Sequence, residues 1–270
     1  MKKIFKVVAT VLASVCCLGA LACCKSEGKT ITVGYTDYPP MNYTNNKGEL
    51  VGFDTELAKK TFEELGYQVR FKEIEWTNKY SELDGGTIDC IWNGFTANVA
   101  DDDGIQRADK VDFTYNYMMN AQCVIRLATT EEAATVEDLA GKSVAYENGS
   151  AGESYASEIE DVNKKPVASQ MDAVREVNAG TAQYAVVDVL LAESLVGQND
   201  FANLRINESI QIDVEYYAVG FKKGSELTAK VNAKFEEYLQ SGYMAELAEK
   251  YNVSTKLVAD YSSQKGQKLD

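Results

Sequence analysis

The chain has 270 residues, 45% of them hydrophobic, enough for one or two domains with buried cores and too apolar for a disordered chain. Its formal net charge of −14 repels nucleic acid and anionic lipid head groups. No histidine occurs anywhere, which argues against a serine-type triad, the usual zinc sites and imidazole general-base chemistry together.

The chain opens on Lys2, Lys3 and Lys6, followed by an uncharged apolar run from Val7 to Ala22 that ends at Cys23-Cys24. This is the pattern of a secretion signal, and the run is shorter than the roughly 20 apolar residues of a membrane span. Ala20-Leu21-Ala22-Cys23 resembles a bacterial lipobox, which implies a diacylated Cys23 as the new N-terminus. Cys24 fits less well, because a cysteine precedes it where the pattern wants Gly, Ala or Ser. A plain secretion signal with stray cysteines is the alternative. Loss of Lys2, Lys3 and Lys6 with the signal takes the charge from −14 to −17.

Beyond a tether at 24–28, Ile31 to Tyr35 reads as a strand. Phe53 to Leu65 reads as a helix with Phe53, Leu57, Ala58, Phe62 and Leu65 on one face, closed by Gly66. A strand Gln68 to Ile74, a short helix Lys79 to Leu83 and an apolar strand Ile88 to Trp92 complete a β-α-β-α-β order, which predicts a largely parallel sheet covered by helices. A long polar interruption, Asn98 to Lys110, follows. Its Asp101-Asp102-Asp103-Gly104 run lacks the alternation and distal Glu of a calcium loop and reads as a solvated acidic turn.

A second unit repeats the order: strand Ser143 to Tyr146, helix from about Gly152, strand Pro166 to Ser169, helix Met171 to Asn178 stopped by Gly180, and strand Tyr184 to Val189. A strand-like run Val214 to Phe221 leads into helices Glu226 to Leu239 and Met244 to Tyr251, which have no sheet of their own and are expected to return to the first lobe. The fold class is therefore α/β, with two parallel-type α/β lobes joined by two hinge strands near Tyr117 to Val124 and Ile212 to Ala218. Lobe 1 is expected at 29–120 plus 214–270 and lobe 2 at 121–213, after a signal segment at 1–23. Two extended linkers make a hinge that can close around a ligand. Cys90 and Cys123 sit in apolar strand-like runs; they could pair, but buried free thiols are the preferred reading. The tail Asn252 to Asp270 is polar and shows no membrane exit of the kind a receptor domain would need.

These residues resemble the type-II periplasmic-type amino-acid-binding proteins of ABC importers over Lys29 to Tyr251. The phrases that carry the resemblance are Gly52-Phe53-Asp54-Thr55-Glu56-Leu57-Ala58, the stretch Trp76 to Thr96, Asp138-Leu139-Ala140-Gly141-Lys142-Ser143-Val144 and Asn148-Gly149-Ser150-Ala151-Gly152-Glu153, all in the family's order. A free amino acid is a zwitterion and needs an anion cradle, an ammonium acceptor and a side-chain slot at the carboxyl ends of the strands.

Ser150-Ala151-Gly152 opens a helix after a strand, where backbone N–H groups and the helix dipole favour an anion; an ordinary Ser N-cap is the bland alternative. The resemblance implies an arginine clamp about five residues after Thr96. Here the first arginine is Arg107, across a loop longer by about six residues, and a solvated surface charge is its alternative reading. It also implies that Asp188, with the Gly94 carbonyl and the Thr96 hydroxyl, takes the ammonium. Asp188 closes the apolar run Ala185-Val186-Val187, where a carboxylate is costly unless paired; a capping aspartate is its alternative. Tyr38 and Trp76 match aromatic positions that sandwich the ligand's side chain in the family, while Trp92 reads as core. Asp37, Asn93 and Glu147 stand beside them as candidates for reading a distal polar group.

The expectation is a lipid-anchored, monomeric, non-enzymatic binder on the outer face of a bacterial cell membrane. It would capture a free polar amino acid and deliver it to ABC permease subunits, without cofactor, metal or nucleic acid. A lipid-anchored sensing accessory and a cyclohexadienyl-type dehydratase on the same fold are the alternatives; the second would need a general acid or base without histidine.

Overall fold

Strand β1 (Thr30–Tyr35) sets the first sheet, because Ile31 and Val33 are buried on one face while it pairs in parallel with β4 (Gln68–Glu73) and β5 (Cys90–Ile91). The computed structural model describes residues 28–210, 212 and 214–265; the expected secretion signal, Cys23 and Cys24 lie outside the described residues. Between β1 and β4 come the short hairpin β2 (Tyr43–Thr44) and β3 (Leu50–Val51) and helix α1 (Phe53–Glu64), which buries Phe53, Leu57, Ala58 and Phe62 as its periodicity predicts. Helix α2 (Lys79–Asp84) joins β4 to β5. The continuous apolar run around β5 follows from burial on both faces: Ile88 and Ile91 pack into one cluster, Cys90 and Trp92 into the other. A single turn of helix, α3 (Arg107–Lys110), then leads to the edge strand β6 (Asp112–Phe113).

Strand β7 (Met118–Leu127) carries the chain from the first sheet into the second. Strand β8 (Ser143–Glu147), helix α4 (Ala151–Glu158), strand β9 (Asn163–Val167), helix α5 (Gln170–Asn178), strand β10 (Tyr184–Asp188), helix α6 (Val189–Leu195) and strand β11 (Leu204–Ile206) build the second lobe, in the order β11-β7-β10-β8-β9. Along β10, Tyr184 and Val186 face one cluster and Ala185 and Val187 the other, so this strand too is covered on both faces. The chain returns through β12 (Val214–Tyr217), antiparallel to Met118–Ala121 of β7, and then β13 (Gly220–Phe221), inserted antiparallel between β5 and β6. The molecule is a two-lobed α/β fold joined by two hinge strands.

Helices α7 (Leu227–Ser241) and α8 (Tyr243–Lys250) return to the first lobe, with α8 against α1. Phe235 of α7 sets its ring 5.7 Å from both Trp92 and Tyr117, which confirms Trp92 as core.

The structure departs from the sequence expectation in two places here. The strand expected at Pro166 to Ser169 begins at Asn163, because pairing with β8 decides its register. Ser169 instead caps α5, accepting from the Asp172 N–H at 3.1 Å. As an edge strand, β9 tolerates Pro166. The single run Val214 to Phe221 is divided between two sheets, which makes the first sheet mixed rather than parallel. In the polar tail, Leu257 bridges Met118, Tyr261 stacks on Tyr115 at 5.1 Å and Gln264 accepts from the Asn116 N–H at 2.7 Å. Cys90 and Cys123 are buried free thiols.

Because Phe235 is the aromatic link between α7 and the Trp92–Tyr117 core, Phe235→Ala is expected to cost about 3–5 kcal/mol of stability. Urea denaturation measures this; a loss under about 1 kcal/mol would show that the returning helices are anchored elsewhere.

Candidate functional site

The carboxyl ends of β5, β8 and β10 converge on a crevice between the lobes. Its cavity is lined by Trp76, Asn93, Gly94, Thr96, Arg107, Glu147, Ser150, Ala151, Gln170 and Asp188. Backbone geometry sets its floor. Gly94 turns at φ 54°, and its N–H donates to the buried Asp54 carboxylate at 2.8 Å. A Cβ at Gly94 would stand 2.5 Å from the Tyr38 ring, so no larger residue fits there.

Arg107 is 1% exposed, so the surface-charge reading is excluded. Its Nε donates to Asp101 at 2.8 Å, Nη1 to the Thr96 carbonyl at 3.1 Å and Nη2 to the Gly149 carbonyl of the other lobe at 3.4 Å. The loop before Arg107 is what makes this possible. Ala100 bridges Gln106, which folds the loop back, and Asp101 is drawn inward between Arg107, Lys110 at 2.8 Å and the Tyr80 hydroxyl at 2.6 Å. Burial opposes ionisation of Asp101, but Arg107, Lys110 and Tyr80 offset it and hold the carboxyl down at about 2. The solvated-turn expectation therefore fails at Asp101, which is buried and doubly ion-paired, while Asp102 and Asp103 are exposed.

The hinge ribbon supplies a polar face. Asn120 and Gln122 alternate with apolar neighbours along β7, and Glu215 stands opposite Asn120 on β12. Asp188 accepts from Asn120 Nδ2 at 3.0 Å, from Gln122 Nε2 and, through its other oxygen, from Gln170 Nε2 at 2.6 Å. Glu215 accepts from the Thr96 hydroxyl at 3.2 Å, Gln122 at 3.0 Å and Asn120 at 3.2 Å. Burial, and then the Asp188 charge, push Glu215 up to about 7, and burial raises Asp188 against its amide donors.

Across the crevice, Ser150 caps α4, its hydroxyl accepting from the Glu153 N–H at 3.1 Å. The cap leaves the first-turn N–H groups of Ala151 and Gly152, which have no intrahelical acceptor, at the cavity end of the helix. Lys79 is buried, donates to the Gly149 carbonyl at 2.9 Å and lies 5.1 Å from the Trp76 ring centroid. Burial and the neighbouring Arg107 lower it to about 7. Glu147 is 3% exposed, and its Oε1 has no hydrogen-bond partner among the described residues. Burial, followed by the charge of Asp188, raises its pKa far above the ordinary range.

Nine of the eleven residues singled out in the sequence thus line one cavity. Tyr38 does not: it is fully buried behind Gly94, its hydroxyl 2.6 Å from that of Tyr217. Asp37 is also outside the lining, half-buried, with Arg175 and Asp172 of α5 as its charged neighbours. Asn93 donates to Asn42 Oδ1 at 2.8 Å and accepts from the Thr36 hydroxyl at 2.7 Å, so its amide is committed to the loop beneath the cavity. Sequence reasoning missed Gln170, Asn120, Gln122, Glu215, Lys79 and Asp101. The amides on alternate positions of an otherwise apolar strand were the available signal for two of them.

Two α/β lobes hinged over a charged crevice at the strand ends define an extracytoplasmic-type binding protein. A family model of bacterial extracellular solute-binding proteins, family 3, matches residues 31–254, and the chain belongs to that family. It is similar to the arginine-binding extracellular protein ArtP of Bacillus subtilis, 26% identical over 256 residues that cover 89% of this chain and 95% of ArtP. It is also similar to the L-cystine-binding protein TcyJ of Escherichia coli, 26% identical over 234 residues and 83% of each chain. Among solved structures, an ancestral arginine-binding protein bound to arginine matches with a TM-score of 0.75 at 29% identity, over 83% of this chain and 99% of that one. These relatives are named as binding proteins, not enzymes. No helix among the described residues is long and apolar enough to cross a membrane.

The buried carboxyls make an unusual pH dependence. Burial raises Asp54 to about 7 despite donors from Gly94 and Tyr117, and Glu215 to about 7 as well. Each group holds its proton more tightly folded than unfolded, so the folded state gains protons first as pH falls. Stability is expected to rise from about pH 7 to about pH 5, by up to about 1.4 kcal/mol per pH unit for each group. Asp101, held at about 2, acts in the opposite sense but only in stronger acid, and Lys79 acts above pH 7. Urea denaturation across this range tests it. Asp54→Asn should reduce the slope, and stability that falls on acidification over the same interval contradicts the assignment.

Proposed function

We propose that the chain captures a free polar amino acid outside the cytoplasmic membrane and delivers it to the permease subunits of an ABC importer, held at the membrane by lipid on Cys23. Capture is by hinge closure between residues 29–120 with 214–270 and residues 121–213. The observation that carries this reading is the convergence of a buried guanidinium, a helix N-terminus and a buried carboxylate in one interlobe crevice. That set is complementary to a zwitterion.

The α-carboxylate docks on the remaining N–H groups of Arg107 and on the Ala151 and Gly152 N–H groups, where planar donors and the helix dipole favour it. The ammonium goes to Asp188, with the Gly94 carbonyl and the Thr96 hydroxyl beside it. Asn120, Gln122 and Gln170 hold the Asp188 carboxylate in place. Trp76 forms an apolar wall for the side chain, and Tyr38 supports Gly94 from behind. The names of the relatives support an amino acid as ligand: arginine for ArtP and cystine for TcyJ.

The mature protein, stripped of ligand by unfolding and refolding, should melt several degrees higher with one or two amino acids at about a thousand times the dissociation constant, where binding adds about 4 kcal/mol. Asp188→Ala is expected to lose about 2–5 kcal/mol of binding, because a desolvated ammonium would be left unpaired. Titration calorimetry giving wild-type affinity for Asp188→Ala would sink this assignment.

A further inference from the structure

We infer that the ligand carries a positive charge on its side chain and that Glu147 is the residue that selects it; this rests on the reading of the crevice as an amino-acid site. Glu147 ends β8, is 3% exposed and lines the cavity beside Arg107 and Asp188. Its Oε1 accepts no hydrogen bond, and no Lys or Arg nitrogen forms an ion pair with it among the described residues.

The other buried carboxylates of the crevice are served. Asp188 has three amide donors, Glu215 two amides and a hydroxyl, and Asp101 two cations and a phenol. The nearby cations are committed elsewhere. Lys79 donates to the Gly149 carbonyl, and Arg107 directs three N–H groups at Asp101, Thr96 and Gly149.

A lone carboxylate in a dry crevice is costly unless a cation joins it. Burial and the Asp188 charge favour the protonated form of Glu147, and an uncharged side chain leaves it so. An amino acid with a guanidinium or ammonium at the end of its side chain supplies a donor to the unpartnered Oε1 and the charge that favours ionisation.

Citrulline is close to arginine in shape but uncharged, which isolates the charge. Calorimetric titration of the ligand-stripped mature protein with arginine, lysine, ornithine, citrulline, glutamine and cystine gives the ranking. At least one cationic amino acid should bind 100-fold or more tighter than citrulline and glutamine, about 2.7 kcal/mol. Glu147→Gln should remove most of the preference of that amino acid over citrulline. A neutral amino acid binding as tightly as the cationic ones, or an unchanged preference in a folded Glu147→Gln protein, overturns the inference alone. Heat from none of the six overturns the amino-acid reading and the inference with it. Should Glu147→Gln fail to fold, Glu147→Asp, which shortens the reach without removing the charge, should weaken the cationic ligand selectively. Equal weakening of citrulline by Glu147→Asp would overturn the inference.

Discussion

Ionised groups cannot be enclosed between two lobes without partners, and that constraint orders the whole crevice. Arg107 is enclosed because Asp101 is enclosed with it, and Asp101 can follow only because the loop from Ala100 to Gln106 folds back on itself. That loop therefore supplies the counter-ion of Arg107. A buried pair of this kind gains less from attraction than it loses on desolvation unless its remaining donors and acceptors are satisfied. Here most of them are, by Lys110, Tyr80 and two main-chain carbonyls.

The hinge obeys the same constraint. A two-stranded ribbon crossing between lobes needs only backbone pairing and apolar contacts. This one presents Asn120 and Gln122 to both Asp188 and Glu215 on a single face. The ribbon that joins the lobes is thus also the element that supplies donors to the site's carboxylates. The C-terminal segment leans on the same ribbon through Leu257 and Tyr117, whose carbonyl accepts from the Val258 N–H at 3.0 Å. Its residues thus fix the hinge from outside.

Much of this was legible in the sequence. The alternation of apolar runs with amphipathic segments gave both lobes, and Val187-Asp188 and Tyr146-Glu147 showed strands ending on carboxylates. What was hidden depends on pairing between segments remote in the chain. Nothing local distinguishes Asp101 from Asp102 and Asp103; only the folded-back loop decides which aspartate meets Arg107. The division of Val214 to Phe221 between two sheets, and the start of β9 at Asn163, are set by the register of β7 and β8. Lys79 looked like any helical lysine until lobe 2 placed a carbonyl above it. Tyr38 matched an aromatic position, yet the close approach of Gly94 puts its ring behind the backbone instead of in the cavity.

The contact at Gly149 bears on how such a protein can change over time. Lys79 and Arg107 of one lobe both reach the main-chain carbonyl of Gly149 in the other, at a residue whose φ of 75° favours glycine. The lobes are thus latched through backbone, while Glu147 and Gln170, which line the cavity, take no part in the latch. Substitutions at such lining positions leave the meeting of the halves intact. A lineage built this way can diversify its diet one side chain at a time, which is the economy expected of a scaffold whose relatives are named for arginine in one bacterium and for cystine in another.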